Sequence, residues 1–426
     1  MTDIGKKLTL YFIIFCFIIA ILTFGGGGTQ FYLYWFVTVI VIFFYLLGIM
    51  SRGKIKRQYV ELFLLLTLWI FYALIVTPWA TNPGEHLKIL LLSFLYTTFS
   101  IICAIIISGN YKRFIKSFEL ALIIWIIINL ATLFLNFTGK ISYGTRDFSG
   151  VYFNRNILAV TGLPFLVFIV FLRTELIFLN NNIRFSIVLL SLIIIILSTQ
   201  STKGLIGIIL IAVLYVVSLK NLKRTLSVSI ALLGLFLILF FALDLEVTSI
   251  ARNKILGFIG IHEKNESESI YAGGETRNFL IREGLKVAMQ NPITGIGVNN
   301  SKYHLFTESY YSRLARGQKP ESGLVSHNNY VEMLLNGGVP AFILYYFPIV
   351  YIILLLFRNQ RSESMEFYFR KFFLSTILLK LVLDIGMISY MNFTYIFMIA
   401  CSYIFYYNNL KSVSIPGEMV SEHNNN

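Results

Sequence analysis

"SHNNYVEMLLNGGVPA", residues 326–341, stands where a long polar stretch gives way to a hydrophobic one. His327, Asn328, Asn329 and Glu332 fall close together and are followed by Gly337, Gly338 and Pro340. Asparagine ahead of an apolar run is an N-cap signal, and paired glycines with a proline interrupt a helix. The stretch predicts a short helix over about 328–336, a break, and then a spanning helix. Non-helical backbone at membrane depth is tolerated only where protein or a watery cavity surrounds it. That geometry puts His327 at the rim of a cavity open to the outer face.

Outward from this stretch the chain is oily. It has 426 residues, 57% hydrophobic and 13% charged, with a mean hydropathy of +0.75. A helix needs about 20 apolar residues to cross the hydrocarbon core. Runs of this kind fall at about 8–24, 31–50, 59–79, 88–108, 117–137, 157–173, 185–200, 204–219, 225–243, 339–357, 372–390 and 391–408. The expected fold is therefore all-α and polytopic, with about twelve transmembrane helices. The first run follows Lys6 and Lys7 without a small-residue cleavage site, and reads as a retained helix.

The net charge of +14 would suit nucleic acid, but its placement does not. With the N-terminus inside, the cytoplasmic loops hold most of the basic residues, such as Arg52, Lys54, Lys56, Arg57, Lys220, Lys223 and Arg224. The short outer loops hold only Lys88, Lys140, Arg146, Arg155 and Lys203. This is the positive-inside distribution. It predicts a multi-pass protein of the cytoplasmic (inner) membrane with both termini cytoplasmic, and no nucleic-acid partner. Cys16, Cys103 and Cys401 all lie in apolar runs, without metal-ligand spacing.

The organisation is asymmetric. Residues 1–243 read as nine membrane helices with short loops. Residues 244–327 form one long, near-neutral outer-face loop holding three of the five histidines. Residues 328–426 supply the short helix, three more spans and a cytoplasmic tail. A loop so long is functional or disordered, and its pattern argues for order. "ETRNFLIREGLKVAMQNP", 275–292, reads as a helix with Thr276 as N-cap and Pro292 limiting its end, and "GIGVNN" after it as a tight turn. Tyr303, Tyr310 and Tyr311 suggest a surface at headgroup level.

Several polar groups stand out. A neutral imidazole at His327 can take a proton from a hydroxyl; it can equally cap the helix start. Glu332 can orient His327, bind a sugar hydroxyl, or sit in interfacial water. Arg277, Arg282, Lys203, Arg146 and Arg155 can converge on one anion, arginine being suited to phosphate by its planar fork; each is also readable as solvated loop charge. Lys380 and Asp384, four apart in the middle of one run, share a helix face and read as a structural pair ahead of a proton route. Glu61 and Glu119 lie nearer the cytoplasmic ends, where they can snorkel. No Walker loop, GxGxxG turn or HExxH occurs, so ATP hydrolysis by this chain is not expected.

Four stretches together resemble the O-antigen ligase and O-antigen or capsule polymerase family. His327-Asn328, then nine residues, then Gly338 is similar to that family's signature, with Ala341 where Gly, Thr or Tyr is frequent. Arg277, Pro292, Gly295 and Gly297 match a second family stretch. Gly150, Phe153, Asn154 and Asn156 in "DFSGVYFNRNILA" match a third. "TQSTKGLIGI" resembles the family's Ser-x-Ser-Arg-Gly turn, with Lys203 in place of the arginine, which keeps the charge and loses the fork.

The resemblance implies a GT-C-like membrane glycosyltransferase working on the outer face without metal or other cofactor. The donor is a glycan on undecaprenyl pyrophosphate. The acceptor is a glycan or a lipid A core, in lipopolysaccharide or capsule biosynthesis. Membrane lipids, chain-length regulators and flippase proteins are the other implied partners. His327 and Arg277 take catalytic roles, while Lys203, Arg282, Arg146, Asn328, Glu332, Asn154 and Asn156 bind substrate. Polymerisation of repeat units is the favoured reaction. Ligation of a finished glycan is the alternative, and transport of the lipid-linked glycan a second one, although no internal repeat of the kind common in transporters is found.

Overall fold

The computed structural model describes residues 56–108, 110–138, 148–150, 155–217, 268–306, 324–358, 365–390 and 392–410, with side chains throughout except at 268–278, 365, 409 and 410. The regular elements among them are all helical. They are α1 (Arg57–Ile75), α2 (Pro83–Ile107), α3 (Tyr111–Phe137), α4 (Arg155–Phe171), α5 (Asn182–Ser198), α6 (Thr202–Val217), α7 (Glu268–Gln290), α8 (Asn329–Arg358), α9 (Met365–Leu383) and α10 (Phe393–Phe405). Among the described residues, four helices are long and apolar enough to cross a membrane: α1, α2, α3 and 329–357 of α8. The apolar α4, α5 and α6 are shorter. The expected runs at 8–24, 31–50 and 225–243 lie outside the described residues.

Asparagines start several of these helices. The Asn82 side chain accepts from the Glu85 N–H at 3.1 Å, with Pro83 opening α2. The Asn110 carbonyl oxygen accepts from the Lys112 and Arg113 N–H groups at 2.9 and 3.3 Å, and Asn392 accepts from the Tyr395 N–H. Each cap satisfies donors that a helix start otherwise leaves orphaned.

Helix α4 is buried almost all round, so it is the axis of its half of the bundle. It touches α5, α6 and α9. Phe114 and Phe118 of α3, Phe165 and Phe168 of α4, and Phe372 and Phe373 of α9 form one fully buried aromatic cluster. In the other half α2 packs on α10 and α1 on α8. The outward faces stay apolar. On α8 they show Ile343, Phe347, Val350, Leu354 and Phe357, all exposed at three- to four-residue spacing, a stripe suited to contact with lipid. The chain is a helical membrane protein.

Three expectations change. Thr276 lies inside α7, which begins at Glu268, and is not its N-cap. Glu119 does not snorkel: it is fully buried, and its carboxylate accepts the N–H groups of Ile177, Phe178 and Leu179 at 3.1–3.2 Å. A buried carboxylate with three main-chain donors is a loop anchor. Asp384 is not at mid-span, because α9 ends at Leu383 and the chain turns through 384–390.

Helix α8 carries the break that the glycines predict. Gly337 (φ −161°) and Gly338 (φ 70°, ψ −167°) depart from helical geometry. The stretch before them, 329–336, packs under α7 in a small separate core of Leu280, Ala288, Ile296, Leu305, Val331 and Leu335. Gly284 lets the two helices approach, since a Cβ there would lie 2.7 Å from Val331 Cγ1.

Candidate functional site

Seven described residues have left-handed backbones: Gly150, Gln200, Gly295, Gly297, Asn299, His327 and Gly338. All seven fall in the four stretches singled out by sequence.

The turn at 292–299 docks backbone-to-backbone on the break in α8. The Ile296 N–H donates to Leu335 O at 2.7 Å, and the Val339 N–H to Pro292 O at 2.8 Å. A Cβ on Gly338 would collide with the carbonyl oxygens of Pro292 and Ile293, and one on Gly295 would lie 2.6 Å from the Gly337 nitrogen. Glycine is required at both positions by the close approach and by the positive φ. The other side of the turn rests on α1 and α2. His86 is fully buried; its Nδ1 accepts from the Val298 N–H at 2.7 Å and its Nε2 donates to Ala73 O at 2.9 Å. Tyr72 Oη donates to Ile293 O at 2.6 Å.

Nearer the surface, Glu85 Oε1 takes Lys302 Nζ at 2.9 Å and Asn299 Nδ2 at 2.8 Å. His304 Nε2 lies 2.7 Å from Thr81 Oγ1, and burial holds its imidazole below the ordinary histidine pKa. No sequence pattern singles out His86, Glu85, Asn299 or His304, because their partners lie more than 200 residues away.

The His327 turn is fastened on both sides. Before it, the Ser326 N–H donates to Glu332 Oε1 at 2.7 Å. After it, Asn328 Oδ1 caps α8 by accepting the Val331 N–H at 3.1 Å, while the Asn328 N–H donates to Ser326 Oγ. Ser326, Asn328, Asn329 and Glu332 are all buried, whereas His327 is partly exposed. Thus Asn328 and Glu332, expected to bind substrate, hold the turn itself. His327 has φ 55°, a conformation costing about 1–3 kcal/mol for a non-glycine residue and persisting only where the surroundings over-determine it.

Asn329 links this turn to the end of α9. Its N–H donates to Asp384 O at 2.7 Å. Its side chain donates to Tyr346 Oη and Asp384 Oδ2 at 2.9 and 3.3 Å, and accepts the Ser389 N–H at 2.9 Å. Lys380 Nζ lies 2.6 Å from Asp384 Oδ2, with both side chains essentially inaccessible.

The remaining cations are distributed. Lys203 opens α6, and a methyl group at Gly386 would lie 3.6 Å from its Cε; the 384–390 turn therefore meets both Lys203 and the His327 segment. In the turn before Lys203, Gln200 is left-handed and Ser201 Oγ donates to Asn156 Oδ1 at 2.7 Å, so Asn156 joins two of the four stretches. Arg282 is exposed on α7, with Arg277 five residues earlier on that helix. Arg146 and Asn154 lie outside the described residues.

Residues 186–346 match the model of the family described as O-antigen ligase. That stretch is similar to an O-antigen ligase-type domain. The matched domain runs from α5 to Tyr346 on α8 and takes in the Gln200 turn, the glycine-rich docking turn and His327. It supports an O-antigen ligase/polymerase-like family and, broadly, that type of function, with lipid-linked glycan and acceptor as the implied substrates. No curated protein matches the chain.

Proposed function

We propose that the protein transfers a glycan from polyprenyl pyrophosphate to an acceptor hydroxyl on the outer face of the cytoplasmic membrane. The reading includes twelve spans, cytoplasmic termini and no metal. The observation that carries it is the partly exposed, left-handed His327, whose buried neighbour Asn329 is bonded to the 384–390 turn that also lies against Lys203.

In the proposed reaction the acceptor oxygen attacks the anomeric carbon and its proton passes to the His327 imidazole. The bond from that carbon to the pyrophosphate oxygen breaks, and the lipid pyrophosphate leaves with the electron pair. General-base help of this kind is worth about a hundred- to ten-thousand-fold. The leaving group gathers negative charge, which Arg277, Lys203 and Arg282, with Arg146, steady as it develops. Asn154 and Asn156 shape the donor side. Because the donor bond supplies the energy, no nucleotide is needed.

Polymerisation of O-antigen or capsule repeat units is the reaction we favour, working with a flippase and a chain-length regulator. The matching O-antigen ligase family favours a second reading, ligation of the finished glycan to a lipid A core. The test is the glycan profile of a strain lacking the gene. Single repeats in place of long chains are expected. Long chains stranded on the polyprenyl lipid would make the protein a ligase. Purified protein that leaves lipid-linked donor unconsumed in detergent, with acceptor present, would overturn the enzyme reading in favour of transport.

A further inference from the structure

Asp384 collects more polar contacts than any task of a single ion pair requires. Its Oδ2 accepts from Lys380 Nζ at 2.6 Å, Tyr346 Oη at 2.9 Å and Asn329 Nδ2 at 3.3 Å. Its Oδ1 accepts from Ser389 Oγ, and its main-chain oxygen accepts from the Asn329 N–H at 2.7 Å. The side chain is wholly buried, so it touches no substrate.

Of these partners, Asn329 stands two residues after His327 and Ser389 lies in the turn that follows α9, while Lys380 is on α9 and Tyr346, on α8, also accepts from Asn329 Nδ2. Ser389 completes the ring by donating its N–H to Asn329 Oδ1. Outside the ring, Tyr330 Oη donates to Leu381 O at 2.7 Å, and the Tyr330 and Tyr346 rings stack at 4.9 Å. Lys380 Nζ lies over the rings of Tyr345 and Tyr346. Residues at the start and middle of α8 are thus bound to residues at the end of α9. Lys380, Asp384 and Ser389 all lie beyond the matched family domain, which ends at Tyr346.

Replacing a buried ion pair by apolar residues is often neutral or even stabilising. This pair's contribution is therefore to be sought in geometry, where an error of about 1 Å can cost about a hundredfold in rate. Gly386, two residues beyond Asp384, lies against Lys203. The same short turn therefore sets His327 on one side and the cation expected to meet the pyrophosphate on the other.

We propose that Asp384, with Lys380 as its counter-ion, is a positioning residue for glycan transfer: through Asn329 and the 384–390 turn it fixes His327 in its left-handed conformation and sets its placement relative to Lys203. This rests on His327 being the base.

The experiment uses full-length protein in detergent with a polyprenyl-pyrophosphate-linked repeat unit, comparing wild type, Lys380→Met/Asp384→Leu, Asn329→Ala and His327→Ala. The double variant removes both charges and every side-chain contact of Asp384. It leaves the buried Tyr346 and Ser389 hydroxyls without their acceptor, so it is expected to melt below the wild type, to keep donor KM within about twofold, and to lose about tenfold or more in kcat per folded molecule. A merely structural pair would leave kcat per folded molecule intact, and that result overturns the proposal. Should the double variant fail to fold, Asn329→Ala decides: its side chain is buried and bound only within the ring, so unchanged kcat there overturns the proposal as well. His327→Ala separates the two layers. Full activity in that variant removes the base assignment itself, whereas an inactive His327→Ala beside a fully active double variant removes only the role of Asp384.

Discussion

His86 and His327 both bear on the turns that surround the break in α8, and their surroundings are opposite. His86 is fully buried and both ring nitrogens are bound to main-chain groups, Val298 N–H and Ala73 O. Accepting a proton would cost it the Val298 bond, so it works as a rigid brace. His327 sits in a strained, partly exposed turn whose immediate neighbours have their polar groups bound within the protein. On the proposed function, two residues of one type in one region thus divide into scaffold and reactive group. Burial and partner identity make the division, and residue type does not.

That comparison breaks most sharply on activity. His327→Ala is expected to lower transfer by about a hundredfold or more, with the melting temperature of the purified protein little changed. A large loss of stability with normal turnover would invert the contrast. His86→Ala is expected to do the reverse. Leaving the buried Val298 N–H without its acceptor costs about 1–3 kcal/mol, read by thermal unfolding in detergent, while kcat per folded molecule stays within about threefold. Lys203→Ala sharpens the reactive side. Donor KM should rise about tenfold, as one lost charge-assisted contact of roughly 1.5–3 kcal/mol implies, and Lys203→Arg should preserve it.

The scaffold side has weaker outer contacts. The Glu85–Lys302 pair is part-exposed, at 24% and 33% of the side chains, so Lys302→Met should cost less than about 1 kcal/mol and less still in high salt. The smallest effect concerns His304. Its folded pKa lies below that of the unfolded chain. The unfolded state therefore takes up the proton first, so the contribution is complete above the unfolded pKa and is lost as pH falls through the folded one. Unfolding free energy should decline with acidification below about pH 6.5, and His304→Gln should flatten that decline.

Much of this was legible in the chain. The run NGGVP announces a broken helix because paired glycines and a following proline cannot continue one, and α8 breaks at Gly337 and Gly338. Asn328 announces a cap and is one. The apolar runs at 59–79, 88–108 and 117–137 announce helices of spanning length and form α1, α2 and α3. The errors share a cause. Glu119 looked like a snorkelling carboxylate because its three main-chain donors lie about 60 residues on. Asp384 looked mid-span because the run 372–390 is predominantly apolar on both sides of it, and hydropathy does not mark where a helix turns over inside protein.

What the sequence alone determined is what depends on neighbours in the chain: which segments are oily enough to be membrane helices, where asparagine starts a helix and glycine breaks one, and which local motifs group into a family pattern. What only the tertiary structure decided is which polar groups spend their hydrogen bonds on the fold. Asn329 and Asp384 are 55 residues apart, and His86 and Val298 are 212 apart. A buried polar side chain must find a partner, but nothing local says which one. Packing alone made Glu332 and Asn329 braces, His86 a strut, and left His327 at the surface of its turn.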